Sequence, residues 1–476
     1  MFENIKTEEE FSIMNTKSES LRLTGKIFAT GVMSFCGVVS ETAMNVTFPT
    51  LMNEFNIGTS TVQWVTTGYL VVLALVITMS SYLKRNCSSR TLFLTAISCF
   101  IIATIGCSIA PEFSVLLIGR MIQGVGTGIA LPLMFNIILS EAPKEKIGTF
   151  MGIGMLITAV APAVGPVLGG FIVDYLGWRY IFVSLMPLLL LALVIGWILI
   201  KYVAPTDHSR FHFFDYLLII IGYSTFIFAM VQASSEGWLS IEVISLLIVA
   251  IVSLAGFILV SRKEEHPLLC VDVLHYGKFM LALSAILIAQ FTVLALGYLI
   301  PNYSQITNHT TAFIAGGLLV PGCIIGAILS PISGRLLDKF GARLPILSGF
   351  GIMTFSLLLF AWHGAEMTTN MFYVFYFIFT IGQGLGCGSV MTFGLSQLPK
   401  DLSADGNALL NSFQQLAGAM GTAVVSTIVA AEQRSNIHDF SIATADGSHH
   451  AFILLAIMIM IAFVATLIMT KARRQP

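Results

Sequence analysis

The chain has 476 residues, of which 56% are hydrophobic and only 10% are charged, whereas about a quarter of the residues of an ordinary soluble domain are charged. This composition excludes a soluble globular protein, and its hydrophobicity excludes a disordered one. The 24 Lys and Arg residues nearly balance 25 Asp and Glu residues, so no basic field predicts nucleic-acid binding. Seven cysteines without a CxxC pair indicate small hydrophobic side chains, with neither a disulfide framework nor a metal site.

Apolar segments long enough to cross a membrane follow one another along almost the whole chain. A membrane helix needs about 20 mainly apolar residues, and charged residues, prolines and glycines bound fourteen such windows. We predict spans at 27–51, 62–83, 91–110, 113–139, 149–173, 180–203, 214–234, 240–261, 279–301, 312–333, 344–363, 370–396, 406–430 and 449–470. An even number places both termini on one side. Of the 24 Lys and Arg residues, only Arg120, Arg179 and Arg434 fall outside the segments on that side, so the positive-inside rule predicts that both termini are cytoplasmic.

Two short motifs occur twice, eight helices apart. QGxGxG is found at Gln123–Gly128 in span four and at Gln383–Gly388 in span twelve, and the loop Ser80–Arg90 after span two aligns with Ser333–Arg343 after span ten. Parallel repeats of this kind are a transporter architecture. The predicted organisation is a cytoplasmic tail at 1–26, a six-helix bundle at 27–203, a two-helix insert with flanking cytoplasmic loops at 204–278, a second six-helix bundle at 279–470 and a cytoplasmic tail at 471–476.

Four signatures make the chain similar to the 14-helix drug/proton antiporters of the major facilitator superfamily, over nearly its whole length. Gly334–Arg343 fits the loop pattern GxLxDxxGxR/K, and Arg120–Gly126 fits RxxQGxG. Gly165–Gly170 resembles the antiporter motif GPxxGG, and Glu41–Pro49 resembles the drug-exporter pattern D-x-T-x-V-N-V-A-L-P, with Glu41 where Asp is usual. The resemblance implies an all-α polytopic membrane protein with the major facilitator fold, in which two six-helix bundles flank a two-helix insert.

The first copy of the loop departs from the family pattern. Arg85 stands where the second copy has Asp338, and Ser81 and Ser88 replace the two glycines. We therefore expect the function of the loop to rest on the second copy, where Asp338 is suited to cap a helix N-terminus. The resemblance implies that such contacts close the transport path on the cytoplasmic side; a solvated charged turn is the alternative. Spans ten and thirteen also lack the interior acidic residues that some 14-helix exporters carry.

Glycine and proline in span five form a second expected gate. Pro166 removes a backbone donor, and the glycines beside it allow helices to approach and bend. By resemblance this segment would seal the path against proton leak, whereas ordinary small-residue packing is the alternative. The expected gating residues are Gly165, Pro166, Gly169 and Gly170 in span five and Gly334, Asp338, Gly341 and Arg343 in the loop.

Glu41 is the only acidic residue in the middle of a predicted span, where an ionisable group is costly and usually functional. At 1.5 Å per residue it lies about 21 Å from the inner end of its helix, and Arg120 comes to a similar height in a core about 30 Å thick. Low dielectric favours a protonated carboxyl group, whereas a nearby guanidinium favours the ionised form. We expect Glu41 to exchange a proton and Arg120 to set its proton affinity; a static buried pair is the alternative.

Eight amphipathic residues near the midplane or outer half of the spans are candidate substrate contacts. Aromatic faces suit cationic or flat apolar compounds, and amides fix orientation; packing is the alternative for each residue. The candidates are Asn45, Trp64, Tyr69, Gln123, Tyr298, Asn302, Asn411 and Gln415.

The predicted function is secondary active export of amphipathic or cationic drugs by proton antiport, with alternating access between the two bundles. The sequence contains no GxxxxGK[S/T] loop for an ATP-driven pump and no mid-span HExxH or paired Asp for a membrane enzyme. The proton is the coupling ion and no cofactor is expected. The expected partners are small amphipathic substrates, protons and membrane lipids, for a protein that works as a monomer in the cell (cytoplasmic) membrane. Export of one endogenous lipid, amino acid or siderophore-like metabolite, or uniport, stays open.

Overall fold

A computed structural model of the chain describes residues 2–471, apart from 58, 63, 203–211, 263, 265–267 and 436–438. Side chains are described from residue 21 onward, apart from those at 45, 49, 59, 60, 163, 174, 234, 235, 312, 313 and 435. The described residues form α-helices and short 3-10 turns, and contain no strand. Among them, thirteen helices are long and apolar enough to cross a membrane, and one bent helix pair adds a fourteenth span.

The fourteen spans are numbered here in chain order, and each predicted window overlaps one of them. They are α1 (Phe2–Val46), α2 (the bent pair Trp64–Thr78 and Ser80–Asn86), α3 (Ser89–Ser108), α4 (Phe113–Glu141), α5 (Ile147–Tyr175), α6 (Arg179–Leu199), α7 (Phe213–Glu236), α8 (Ile241–Ser261), α9 (Gly277–Ile306), α10 (Val320–Phe340), α11 (Arg343–His363), α12 (Thr369–Ser396), α13 (Ser403–Ser435) and α14 (Phe440–Met469).

The first helix differs most from its predicted window of 27–51. It begins at Phe2, because the polar residues before the apolar stretch are mostly good helix formers that continue it without a break. It ends at Val46, and a separate helix, Phe48–Phe55, follows after Thr47. The proline near the start of that second helix has no backbone N–H to continue the hydrogen-bond ladder of α1, but it suits the first turn of a new helix.

The second span is bent by 49° between its two segments. The backbone N–H of Met79, which separates them, donates to the carbonyl of Val76 at 3.1 Å. This bond spans three residues instead of four, so the helix tightens locally and changes direction. The short segment Ser80–Asn86 therefore points away from the axis of the first.

The two sets of six helices are packed in the same way. In the first set, α1 packs on α4, α5 and α6, while α3 packs on α4 and α6 and α2 packs on α4. In the second, α9 packs on α12, α13 and α14, while α11 packs on α12 and α14 and α10 packs on α12. The fold is thus two six-helix bundles of one plan, with α7 and α8 as the insert between them in sequence.

The bundles meet along two seams. At one seam α5 packs directly on α10. At the other, α2 meets α13, and α7 of the insert packs against both of them. Trp64 of α2 contacts Phe228 of α7 with ring centroids 4.9 Å apart. At one end of the seams lie four segments that are rich in Lys and Arg and consist of helix ends and short turns: 84–90, 144–146, 335–343 and 400–402. This end is called here the basic end.

Candidate functional site

The glycines of QGxGxG allow α4 to approach its neighbours closely. A Cβ atom at Gly124 would lie 2.8 Å from the carbonyl oxygen of Tyr69 on α2, and one at Gly126 would lie 2.8 Å from that of Ala96 on α3. A larger residue at either position would push the helices apart. This close packing brings the side chains of α1, α2 and α3 around the polar residues of α4.

The second copy of the motif makes the equivalent contacts in the other bundle. Gly384 packs against Gly326 of α10, and a Cβ atom at Gly386 would lie 3.0 Å from the ring of Phe350 on α11. The glycines of α12 therefore face α10 and α11, which are the equivalents of the α2 and α3 that the glycines of α4 face. The repeat seen in the sequence is a repeat of helix packing.

Arg120 lies at the centre of the first bundle and is fully buried. Its guanidinium carbon lies 4.3 Å from the ring centroid of Tyr69, in a cation–π contact. Its Nη1 donates to Ser40 Oγ at 3.0 Å and to Gln123 Oε1 at 2.7 Å, and its Nε donates to the carbonyl of Val65 at 3.4 Å. Its Nη2 is buried and has no hydrogen-bond partner among the described residues. One face of a buried cation is therefore left without an acceptor.

Glu41 follows Ser40 on α1 and is only half-buried. Its carboxylate interacts electrostatically with Arg120 and Tyr69. Over the described part of the chain, however, no ion pair of 4.0 Å or less includes Glu41. The two groups thus interact without forming an ion pair, and the neighbouring Ser40 accepts a hydrogen bond from Arg120 Nη1 instead.

Two glycines of the span-five motif hold α5 against α1 next to Glu41. A Cβ atom at Gly165 would overlap the side chain of Thr42, and one at Gly169 would lie 2.9 Å from the Cα atom of Ala43. Gly170 has more room, since its nearest neighbour is 3.9 Å away, and Pro166 is exposed. The motif therefore supplies a close helix contact at Gly165 and Gly169.

The predicted substrate residues fall into separate places. Tyr69 and Gln123 surround Arg120: Tyr69 Oη donates to Thr127 Oγ1 at 3.0 Å, and Gln123 Nε2 donates to Thr104 Oγ1 at 2.9 Å. Their hydrogen-bonding groups are thus engaged within the bundle. Trp64 is partly exposed on α2, beside α7.

The remaining candidates lie mainly in the second bundle. Asn411 Nδ2 donates to Asn407 Oδ1 at 2.8 Å, and Asn407 Nδ2 donates in turn to Asn136 Oδ1 at 3.0 Å, so a chain of amides joins α13 to α4. Tyr298, Asn302 and Gln415 are half-buried on α9 and α13. The side chain of Asn45 lies outside the described residues.

Asp338 crosses the seam between α10 and α5 at the basic end. Its carboxylate accepts hydrogen bonds from the backbone N–H groups of Gly148 and Thr149, each at 2.9 Å, and from Thr149 Oγ1 at 2.7 Å. These donors belong to the first turn of α5, whose N–H groups have no partner within the helix. We call Asp338, Gly148 and Thr149 the Asp338 clamp.

Other residues of the same loop contribute to close packing at the seam or shape the loop itself. Gly334 packs against the backbone of Gly148, where a Cβ atom would not fit. Gly341 ends α10 with a φ of 76°, a conformation that favours glycine. Arg343 is exposed at the start of α11.

The second seam is crossed by a group of residues that the sequence did not predict. The buried Asp405 of α13 pairs with Arg85 of α2, with Nη1 and Oδ2 3.1 Å apart, and accepts a hydrogen bond from Ser81 Oγ at 2.6 Å. We call Ser81, Arg85 and Asp405 the Asp405 clamp. The first copy of the loop, in which Arg85 replaces the aspartate, therefore also joins two helices across a seam.

A sequence signal for this clamp exists next to each partner helix. A Pro-Lys-acid triplet precedes both α5 and α13, at Pro143–Glu145 and Pro399–Asp401. Six residues after the proline stand Thr149 in one helix and Asp405 in the other. The two clamps therefore join equivalent positions, but the carboxylate lies on the loop in one clamp and on the helix in the other.

The far end of the first bundle, opposite the basic end, is closed by a charged contact. Glu54 accepts hydrogen bonds from Trp178 Nε1 at 2.7 Å and from Arg179 Nη1 at 2.6 Å. Partial burial opposes ionisation, but the hydrogen bonds from Trp178 and Arg179 and the charge of Arg179 hold the pKa of Glu54 below its ordinary value of 4.5.

These features define a helical membrane protein of two repeated bundles, with a buried cation in one of them and polar clamps at one end of both seams. The chain belongs to the Major Facilitator Superfamily, whose sequence profile matches residues 30–422. Members of this superfamily are transporters, so the protein is a multi-pass membrane transporter and not an enzyme.

Individual relatives carry resistance names. The chain is 35% identical to the lincomycin resistance protein LmrB of Bacillus subtilis (strain 168), over 92% of this chain and 94% of the relative. It is 28% identical to the multidrug resistance protein B homolog of Mycobacterium tuberculosis (strain H37Rv), over 86% of this chain and 76% of the relative. The human organic anion transporter MFSD10 (TETRAN) shares the fold with a TM-score of 0.64 at 11% identity, over 93% of this chain and 99% of that one.

Proposed function

We propose that the protein exports amphipathic or cationic drugs from the cell in exchange for protons. The resistance names of the relatives support drug export and make lincomycin the first compound to test. The distribution of basic residues supports a cytoplasmic basic end and cytoplasmic termini in the cell membrane. In this proposal the protein works as a monomer, with the proton as coupling ion and no cofactor.

The observation that carries proton coupling is the buried Nη2 of Arg120, which lacks an acceptor near the half-buried Glu41. An ionised Glu41 is the nearby anion that can satisfy this donor, and pairing would stabilise the charged form. Protonation from outside removes the negative charge of Glu41 and ends the attraction. Return of the proton to the cytoplasm restores it.

Alternating access links this exchange to transport. With the clamps joined at both seams, this conformation corresponds to a path closed on the proposed cytoplasmic side. A change in the charge of Glu41 shifts α1 relative to α4, and α5 moves with α1 because Gly165 and Gly169 hold the two helices together. Since α5 forms one seam with α10, the movement reaches the clamp there.

The test uses inside-out vesicles and purified protein. We expect wild type to accumulate lincomycin when the lumen is acidified and to release protons on adding the drug. Glu41→Gln should bind drug and exchange it at equilibrium, but it should not respond to the proton gradient, because its side chain cannot change charge. Glu54→Gln, which also removes a carboxylate but at the far end, is the matched control and should retain coupling.

A response of Glu41→Gln to the gradient as strong as that of wild type would refute the coupling role. Unchanged survival of cells with and without the protein across a broad drug panel would instead support export of one endogenous lipid, amino acid or siderophore-like metabolite. Drug flux in wild type that is indifferent to an uncoupler would support uniport.

A further inference from the structure

Asp405 is a buried carboxylate whose partners come from two other parts of the chain. Ser81 and Arg85 reach it from the end of α2, and the backbone N–H of Cys270 donates to its Oδ1 at 3.0 Å. Cys270 lies in the segment between α8 and α9, by which the chain leaves the insert. The seam between α2 and α13 is thus joined at the basic end through a third element.

The exit segment of the insert is also bound from the other side. Arg85 Nη2 donates to the carbonyl of Leu268 at 3.2 Å, while Ser261 Oγ at the end of α8 donates to the carbonyl of Leu269 at 2.9 Å. Hydrogen bonds therefore run from α8 through residues 268–270 to both members of the ion pair. Further along the seam, α7 packs on α2 and α13. The insert touches both sides of the seam, and its exit segment touches both charges.

The Asp338 clamp and the ion pair of the Asp405 clamp join equivalent positions with different groups. There the loop supplies the carboxylate, and the first turn of α5 supplies backbone donors and the Thr149 hydroxyl. In the Asp405 clamp the loop supplies the cation, and the carboxylate stands within the first turn of α13. Both arrangements place a negative charge at a helix N-terminus, where the helix dipole stabilises it. Only in the Asp405 clamp do the two charged side chains also form hydrogen bonds with the exit segment of the insert.

We propose that Arg85 and Asp405 are positioning residues that close the seam between α2 and α13, and that residues 268–270 are the third part of this closure, so that the insert moves whenever the seam opens. The two-helix insert then has a role in gating. This inference rests on the alternating access of the proposed function, but it needs neither the proton as driving ion nor any particular substrate.

Cys270 itself reports on the closure, because the residue is half-buried and its backbone N–H makes the bond to Asp405. In inside-out vesicles, a membrane-impermeant maleimide is added and the modification of Cys270 is followed by peptide mass spectrometry. We expect Arg85→Gln to speed the modification by about tenfold, because the closed state loses hydrogen bonds to a charged group. Arg85→Lys keeps the charge but not both hydrogen bonds, and should give an intermediate rate.

A double variant separates closure of the seam from the link to the insert. Arg85→Asp alone places two carboxylates together and should abolish transport. Arg85→Asp with Asp405→Thr reproduces the chemistry of the Asp338 clamp and should regain transport. Cys270 should still react fast, because the carboxylate that accepts from Cys270 and the guanidinium that donates to Leu268 are both still missing. Size-exclusion profiles of all variants check that they are folded.

A rate of Cys270 modification in folded Arg85→Gln equal to that of wild type would overturn the link to the insert. A double variant that transports no better than Arg85→Asp would overturn the equivalence of the two clamps. Failure of wild type to couple drug uptake to a proton gradient would contradict the proposed function and would leave the modification rates, which need no substrate, as an independent result.

Discussion

The two six-helix bundles share their packing and differ in their charges. Gly124 and Gly384 bring α4 and α12 against equivalent helices. Three residues before the glutamine of each motif, however, the first bundle has Arg120 and the second has Thr380. Thr380 Oγ1 bonds only to carbonyls of its own helix, those of Tyr376 and Phe377, among the described residues. Arg120 contacts two other helices, α1 through Ser40 and α2 through Val65 and Tyr69.

The far ends of the bundles show the same difference. Glu54, Trp178 and Arg179 close the first bundle with a charged contact. In the second, Tyr303 Oη donates to the carbonyl of Ala365 at 2.9 Å and accepts from the N–H of Met367 at 3.1 Å, without any charge. Repetition thus preserves the helix packing, whereas the buried cation of the first bundle has an uncharged residue, Thr380, at its equivalent position. The second bundle carries its own titratable pair near its far end, where His450 Nδ1 lies 3.2 Å from Glu432 Oε1.

The largest effect should come from the position where the bundles differ most. We expect Arg120→Gln to lower drug uptake into inside-out vesicles by at least about tenfold, because it removes charged hydrogen bonds and the contact with Tyr69. Thr380→Ala at the equivalent position should lower it by less than about twofold, since a hydroxyl bonded to its own helix contributes little. Equal losses per amount of folded protein would contradict the asymmetry.

A smaller and symmetrical effect should follow where the bundles agree. Gly124→Val and Gly384→Val each place atoms into a closed helix contact, and we expect each to lower stability by about 1–3 kcal/mol. Melting curves of the purified variants measure this. Gly106→Val is the control, because a Cβ atom at Gly106 meets nothing within 4 Å. A strong loss in only one bundle would show that the packing is not equivalent.

The smallest effect should be a pH dependence of the Glu54 contact at the far end of the first bundle. Because the pKa of Glu54 is lowered in the folded protein, its contribution is present above the ordinary value of 4.5 and is lost as the pH falls through the lower folded value. The contact is partly exposed, so the difference should stay below about 1 kcal/mol.

Melting temperatures of wild type and Glu54→Gln, compared at neutral pH and at successive values below 4.5, measure this dependence. The two curves should converge as the pH falls. Tyr303→Phe is the uncharged counterpart, and it should differ from wild type by the same amount at every pH. Curves for Glu54→Gln that stay parallel to those of wild type would contradict the prediction.

The sequence predicts the fold well because a membrane requires long apolar helices, and hydropathy records these directly. It also predicts that Glu41 and Arg120 lie at one height, since residue counts along a helix fix depth. It does not reveal Ser40 as the residue that accepts from Arg120, because side-chain direction within a bundle depends on packing.

The Asp405 clamp was missed for a related reason. Asp405 lies one residue before the predicted span 406–430, so the sequence assigns it to a loop. Its partner Arg85 stands where the second copy of the loop has Asp338, so the first copy reads as a loop that has lost its functional aspartate. Only the fold brings Arg85 and Asp405 together, which lie 320 residues apart in the sequence, and shows that the carboxylate is on the helix and not on the loop. Likewise, nothing in the sequence distinguishes a tyrosine or glutamine that faces a substrate path from one that holds an arginine, as Tyr69 and Gln123 do.

The bend in α2 separates two tasks that one continuous helix would have to share. Tyr69 lies before Met79, on the segment anchored by Arg120, whereas Ser81 and Arg85 lie beyond it. We therefore expect Met79 to act as a joint about which the short segment Ser80–Asn86 at the basic end moves while the longer segment stays in place. We therefore expect substitutions at residues 80–86 to change how readily the protein opens without altering the surroundings of its buried cation. Natural variation could then adjust the opening and the buried site almost independently, although both lie on one span.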